Sequence, residues 1–375
     1  MLSRVKHIVL MMLSVLALAS CDKTIHEYPG ENNILLTVRC SVDLSHPEHF
    51  VTVECDAEKG TSYVVRTQSV DKPDTRFNEP VCLRYVMDLY RVRPSATEFV
   101  ERKVLFADVD DPNPQAIATY QVDAAEYKVL VWCDYVQDDV REAWYYQTDD
   151  LRKILYSDVE VLDNNDKDAF SNVLEVDLRD YYYLEGEFEL VYDLQLNRPK
   201  GRYKCITTDM RDYQNGGGDV ENITAVVTYT MYVSAGFNVE EQKPNYFEET
   251  RTYVTKAKVD KDGVLELCYD YIFVNGKQTN VKINFNFYNG DIDINSKGEV
   301  IGEEISHWSN IVVPLKRNME TVIEGRMLTT SFGTGGIGID PGFEGEIVVP
   351  VGDYCAAPRR CLLTGKCASI AVEYI

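Results

Sequence analysis

Basic residues are in short supply in this chain. Its 38 lysines and arginines stand against 61 aspartates and glutamates, for a formal net charge of −23. A surface of that sign repels polyanions, so nucleic acid is excluded as a partner and anionic lipid headgroups are not attracted. Histidine is scarcer still, with five in 375 residues: His7, His26, His46, His49 and His307. None belongs to an HExxH helix, and no GxSxG elbow offers a hydrolase nucleophile. Acidic pairs are everywhere and nothing singles one out. The expectation is a protein without catalytic residues, metal or cofactor. Long apolar runs are missing as well. The run from Ile8 to Ala19, broken by Ser14, falls short of the ~20 residues that a spanning helix needs.

That short run has a different meaning. Arg4 and Lys6 precede it, and Leu18-Ala19-Ser20-Cys21 closes it. A basic start, a brief apolar stretch and small residues at its end make a secretory signal, here residues 1–20. The tetrapeptide ending in Cys21 matches the bacterial lipobox, whose cysteine thiol receives a diacylglyceryl group before cleavage. Each buried methylene of an acyl chain contributes about 0.8 kcal/mol, and two or more chains anchor stably. The expected product is a lipoprotein tethered through Cys21, with residues 21–30 as a polar link ending in Pro29-Gly30. Its expected place is the outer membrane, at the cell surface or in a fimbrium.

What the chain has in quantity is tyrosine, 25 in all, together with β-branched residues, a composition that favours strands. Ile34, Leu36 and Val38 alternate. Tyr127 to Val136 (YKVLVWCDYV) reads as a strand buried on both faces. Further strands are expected at 187–196, 202–208, 223–233, 250–259, 265–274 and 281–288. Asp-Gly at 262–263 and Asn-Gly at 275–276 and 289–290 are residues that tight hairpins require. One short helix is expected at 148–156, capped by Thr148 or Asp149, with Leu151, Ile154 and Leu155 on its apolar face. Residues 213–220 (YQNGGGDV) read as a loop. Many short strands and almost no helix indicate an all-β fold of β-sandwiches. Two in tandem suit the length, at 31–183 and 184–350, with a cysteine-containing tail at 351–375. Nine cysteines follow Cys21. Cys82, Cys133 and Cys268 sit inside apolar alternations, where a small buried hydrophobe is the commoner role.

Other patterns are weaker. Gly333, Gly335 and Gly338 spell GxGxxG, yet Ile339-Asp340-Pro341-Gly342 follows in place of the helix a dinucleotide site requires, so the segment reads as a glycine-rich loop. Asp163, Asn165 and Asp168 form an acidic stretch without the Gly and Glu of a calcium loop, and read as a solvated turn, as do Asp108, Asp110 and Asp111. Trp132 reads as core. Trp144 with Tyr145 and Tyr146 is the candidate for stacking on a sugar ring.

Several strings occur in an order that resembles a known family. They are Val131-Trp-Cys-Asp-Tyr-Val136, Lys167-Asp-Ala-Phe-Ser171, Asn197-Arg-Pro-Lys-Gly-Arg-Tyr203 with Thr208-Asp209, and Val313-Pro-Leu-Lys-Arg-Asn318 leading into Thr321 to Thr329. Over roughly residues 80–350 the chain resembles the fimbrillin-like surface lipoproteins of Bacteroidales. The resemblance implies two transthyretin-like sandwiches and a role in fimbrial assembly or adhesion, with other fimbrial subunits as partners. It also implies polymerisation by strand donation, often after cleavage behind an arginine, for which Arg39 and Arg66 are the available positions. The alternative is a surface lipoprotein that captures polysaccharide through Trp144, Tyr145 and Tyr146.

Overall fold

The computed structural model describes residues 33–65, 80–157, 165–248, 251–260, 262–295 and 299–332. The expected signal, Cys21, its link, Arg66, Asp163, the GxGxxG segment and the cysteine-containing tail lie outside the described residues. Those described all belong to the first of two units, Met1–Ile339 and Asp340–Ile375.

In chain order the strands are β1 (Asn33–Ser41), β2 (Glu48–Asp56), β3 (Gly60–Val64), β4 (Val81–Arg93), β5 (Ala96–Asp108), β6 (Gln115–Val122) and β7 (Glu126–Gln137). There follow β8 (Tyr146–Gln147), β9 (Ile154–Tyr156), β10 (Ala169–Asp177), β11 (Glu187–Gln195), β12 (Lys200–Thr207), β13 (Ile223–Tyr229) and β14 (Val233–Asn238). The last are β15 (Lys243–Glu248), β16 (Arg251–Lys256), β17 (Lys258–Val259), β18 (Leu265–Phe273), β19 (Thr279–Ile294), β20 (Val300–Leu315) and β21 (Met319–Gly325). The protein is all-β, as its composition indicates.

Period-two patterning explains the layers. In β6, Ala116, Ala118, Tyr120 and Val122 point inward and the residues between them are exposed. The sheet β11-β1-β6 thereby covers the sheet β10-β7-β4-β5 over a first core. β7 is buried on both faces, as its unbroken apolar run predicts. Tyr127, Val129, Val131, Cys133 and Tyr135 enter the first core, while Leu130 and Trp132 enter another on the opposite side. That smaller core is roofed by the sheet β15-β14-β9-β8 and also takes in Phe273 of β18. The last sandwich sets β17-β18-β12-β21-β2-β3 against β16-β13-β19-β20. Each fully buried Val, Leu or Phe in these cores contributes roughly 1.5–3 kcal/mol.

The chain crosses between sandwiches in ways that the expected boundary at 183/184 does not anticipate. β2 pairs in parallel with β21, so residues 48–64 belong to the last sandwich. β11 pairs in parallel with β1, so residues 187–195 belong to the first. Alternation identifies a strand and its buried face; it does not say which sheet supplies the neighbour.

Local corrections have local causes. The helix expected at 148–156 is absent. Arg152 and Lys153 fold back onto the Asp150 carboxylate and carbonyl (both 2.9 Å), and β9 then begins at Ile154. Leu151 and Ile154 are buried, as expected, but as a turn and a strand. The short α-helix Met210–Asn215 instead runs into the stretch read as loop, ending at Gly216 before Gly217 turns at φ +91°. Of the three X-Gly turns, only Asp262-Gly263 closes a hairpin, joining β17 to β18. Asn275-Gly276 carries the chain from one sheet to the facing one, and Asn289-Gly290 marks an irregularity in the pairing of β19 with β20.

Candidate functional site

Two features depart from the ordinary distribution of side chains, in which charge is outside and large apolar groups are inside. The first is a buried ionic junction beneath the smaller core. Arg198, Lys200 and Arg202 alternate along extended chain, and strand geometry puts all three on one face. Each is at least 95 % shielded from solvent. Arg198 donates to the Asp168 carboxylate at 2.5 Å and to the Ser45 carbonyl at 3.2 Å, and also to Asn318. Arg202 donates to Glu320 and lies over the Tyr269 ring at 4.1 Å. Lys167, ending a 3-10 turn at Asn165–Lys167, reaches Asp270 of β18 at 2.7 Å. Lys200 donates to the Lys167 carbonyl at 2.7 Å and to the Tyr146 hydroxyl, among the rings of Tyr146, Tyr156 and Phe273. Burial, helped by the neighbouring Lys167 charge, holds the Lys200 amine well below the usual lysine range. On the first sandwich, Arg84 of β4 grips Asp134 of β7 through two bonds of 2.9 and 2.6 Å.

The reading of 163–168 as a solvated turn is therefore corrected for its described part. Asp166, Lys167 and Asp168 are all buried, because each is carried inward at the meeting of β7, β10 and β18. The strings behind the family resemblance meet here: Asp134, Lys167, Asp168, Arg198, Lys200, Arg202 and Asn318 all come from them. Their alternating cations on a strand were a readable signal, and reading the sequence for loops missed it.

His46 sits at the rim, bonded to Glu320 at 3.1 Å. Burial, then the positive charges of Arg202, Lys204 and Arg198, lower its pKa to about 3, so the imidazole is neutral at physiological pH. Beside Arg198 a polar cleft of about 360 Å³ is lined by Ser41, Asp43, Asn113, Gln195, Asn197 and Asn318, with Phe170 beneath.

The second feature is the free side of β5, the end strand of its sheet. It is 13 residues long, roughly 40 Å of extended chain. Phe99, Val100, Val104 and Phe106 are 53, 44, 45 and 37 % exposed, and no other described end strand shows as many large apolar side chains. Register makes the contrast sharp: Val104 lies opposite Val86 of β4, which is 2 % exposed. β5 is held firmly from its other side, by Arg102 bonded to Asp88 at 2.6 and 2.7 Å and by Phe99 edge-on to Tyr90.

The sugar-stacking candidates are corrected in part. Tyr145 and Tyr146 are buried, their rings committed to the smaller core, so neither presents a face to a saccharide. Trp144 is half-buried with its ring against Tyr145 at 4.3 Å. Trp132 is core, as read. Cys40, Cys55, Cys82, Cys133, Cys205 and Cys268 are free and buried. Burial pushes the Cys40 thiol up to about 12, which leaves it inert. Arg39 lies in β1, between β11 and β6 and hydrogen-bonded on both sides, which keeps its peptide bonds out of a protease cleft. Among the described residues no three His, Cys, Asp or Glu side chains gather as a metal site, and no helix is long and apolar enough to cross a membrane.

A model described as a family of unknown function (DUF6562) matches residues 46–366. No curated protein matches the chain. Among solved structures, a candidate adhesin from Bacteroides ovatus is 12 % identical, with 77 % of this chain and 80 % of that one covered at a TM-score of 0.40. A candidate polysaccharide-binding protein from Bacteroides thetaiotaomicron is 8 % identical, covering 74 and 80 % at 0.39. The fimbrial anchor protein Mfa2 from Porphyromonas gingivalis is 8 % identical, covering 73 and 81 % at 0.36. Likenesses this distant carry no argument about function.

Proposed function

The chain belongs to the DUF6562 family, and from that premise we propose that it is a surface-held, non-catalytic adhesive or fimbrial subunit that engages its partner by strand addition along β5. One observation carries the reading. Among the described residues β5 has no strand on its outer side, and a long end strand with exposed apolar side chains is an association hazard that folded proteins otherwise blunt. Kept open, it is a docking rail. An extended segment of a neighbouring subunit would pair with the β5 backbone, and Phe99, Val104 and Phe106 would take up its alternate side chains. The lipobox at Cys21 supplies the tether, and the ordered strings shared with fimbrillin-like lipoproteins supply the class of partner.

The experiment is to isolate surface fibres from cells that make the protein and look for SDS-resistant ladders containing it. Phe106→Lys, on the free edge, should remove the ladders while leaving the purified protein folded. Protein that is monomeric in both forms would sink the proposal.

A further inference from the structure

Four ion pairs are buried on both sides among the described residues: Arg84–Asp134, Arg198–Asp168, Arg202–Glu320 and Lys167–Asp270. A guanidinium is not a nucleophile, so three of these can only remain ion pairs. The fourth joins an amine to a carboxyl group. We propose that Lys167 and Asp270 condense into an amide, an internal covalent tie between the first and last sandwiches.

The geometry sets up the reaction. The Lys167 Nζ is 2.7 Å from Asp270 Oδ1, and the two side chains are 4 and 1 % exposed. A nitrogen hydrogen-bonded to a carboxyl oxygen is held next to the carboxyl carbon, and fixed proximity of this kind removes much of the entropic barrier. Oδ1 accepts the Tyr271 backbone N–H at 2.8 Å, and Oδ2 accepts the Tyr229 hydroxyl at 2.9 Å, which in turn meets the Tyr203 hydroxyl at 2.8 Å. The rings of Tyr156 and Tyr253 flank the Lys167 amine at 5.4 and 5.2 Å and exclude solvent.

The electrostatics favour the neutral product. Lys200 is fully buried close by, and among the described residues no carboxylate is ion-paired with it. Two lysines, with Arg251 near them, therefore share Asp270 in a dry space, because the other nearby carboxylate, Asp168, is bonded to Arg198; like charges there are costly. A buried ion pair also bears a large desolvation penalty that an amide does not. In the balanced step, the ammonium first passes one proton to the carboxylate, giving amine and acid. The nitrogen lone pair attacks Cγ and the C–N bond forms. A second proton leaves nitrogen for the departing oxygen, with the Tyr229 hydroxyl as relay, and the C–O bond breaks. One water is released, and no oxidant, reductant or co-substrate is needed.

The tie would join the residue two before β10 to the middle of β18, a link that outlasts the loss of every non-covalent contact. All six described cysteines are free, so among the described residues no disulfide does this.

The test is mass spectrometry of the whole protein purified from its producing cells, denatured and digested with trypsin. The expected result is one branched peptide containing both Lys167 and Asp270, lighter by one water than its two linear parts. Lys167→Arg, which keeps the charge and lacks the amine, should abolish it. Tyr229→Phe should slow its appearance after synthesis several-fold. Linear peptides of full mass from the wild-type protein would overturn the proposal, and so would a missing water that persists in Lys167→Arg.

Discussion

The junction and the β5 edge invert the usual rule in opposite directions. At the junction, Arg198, Lys200, Arg202, Asp168 and Asp270 are each at most 5 % exposed; on β5, Phe99 and Val104 stand about half in solvent. Both arrangements cost free energy that a simple sandwich would avoid, so each asks for a reason. At the junction the reason is internal: Arg198 pairs with Asp168, Lys167 with Asp270, and Arg202 with Glu320 on the neighbouring strand, and an off-register fit would leave a charge without its partner. Among the described residues, Tyr90 meets Phe99 edge-on and Arg141 lies over the Phe106 ring at 5.4 Å, and both rings stay more than a third exposed. On the proposed reading, their remaining exposed faces gain a reason when another chain arrives. One region fixes how this protein holds itself, and on the proposed reading the other is how it holds something else.

The comparison breaks most visibly if a junction charge is removed. Asp168→Ala would strand Arg198 in a site where its other partners, Asn318 and the Ser45 carbonyl, are neutral. Truncating one member of a buried pair typically costs 3–5 kcal/mol. The expected outcome is a loss of about that size in the urea midpoint at unchanged slope. A loss below about 1 kcal/mol would show that water reaches Arg198 and that the junction is not dry.

A smaller effect comes from pH. His46 has a folded-state pKa of about 3, against its ordinary 6.5. Between those values the unfolded chain binds a proton that the folded chain refuses, so stability falls as pH falls. Each unit well below 6.5 corresponds to about 1.4 kcal/mol and the first half-unit to less, so going from pH 6.5 to 5 should cost about 1.6 kcal/mol. His46→Gln keeps a donor for Glu320 and cannot titrate there. Urea midpoints taken through this range should flatten in the variant; parallel profiles would mean that the imidazole is solvated and the junction extends less far than Glu320.

How much of this was legible in the sequence follows the same divide. Side-chain alternation is local, so the buried faces of β6, β7 and the first half of β19 could be read from residues two apart. Pairing is not local. Nothing in His49 to Cys55 says that its neighbour is Met319 to Gly325, some 270 residues away, and so the division between sandwiches was misplaced. The segment at 148–156 shows spacing misleading in its own way: Leu151, Ile154 and Leu155 suit a helix face, but the Asp150 side chain captures the backbone of a turn first. Lys167-Asp168 looked like solvent-facing polarity because charge in a strongly acidic chain is usually just that. The edge was illegible for a further reason. Ala96 to Asp108 carries Glu98, Glu101, Arg102 and Lys103 among its apolar residues, and only the sheet order shows that its outer side has no neighbour among the described strands.

The smallest expected change in stability is the one that tests the edge. Val104 and Val86 are the same residue in register with each other, one strand apart, and differ in exposure by 45 against 2 %. Val86→Lys would bury an unpaired ammonium in the smaller core and should cost more than about 4 kcal/mol. Val104→Lys places the same group where water already reaches, and should move the urea midpoint by no more than about 0.5 kcal/mol. If β5 served only this molecule, the second substitution would be silent in every assay. If it is the rail for an incoming strand, the lysine must be desolvated when that strand docks, and its charge falls in the middle of the pairing register. Association should then be lost from a protein whose own fold is unchanged, read as disappearance of SDS-resistant ladders beside an unaltered denaturation curve. Ladders that survive Val104→Lys would place the docking surface elsewhere and leave the exposed residues of β5 without a purpose.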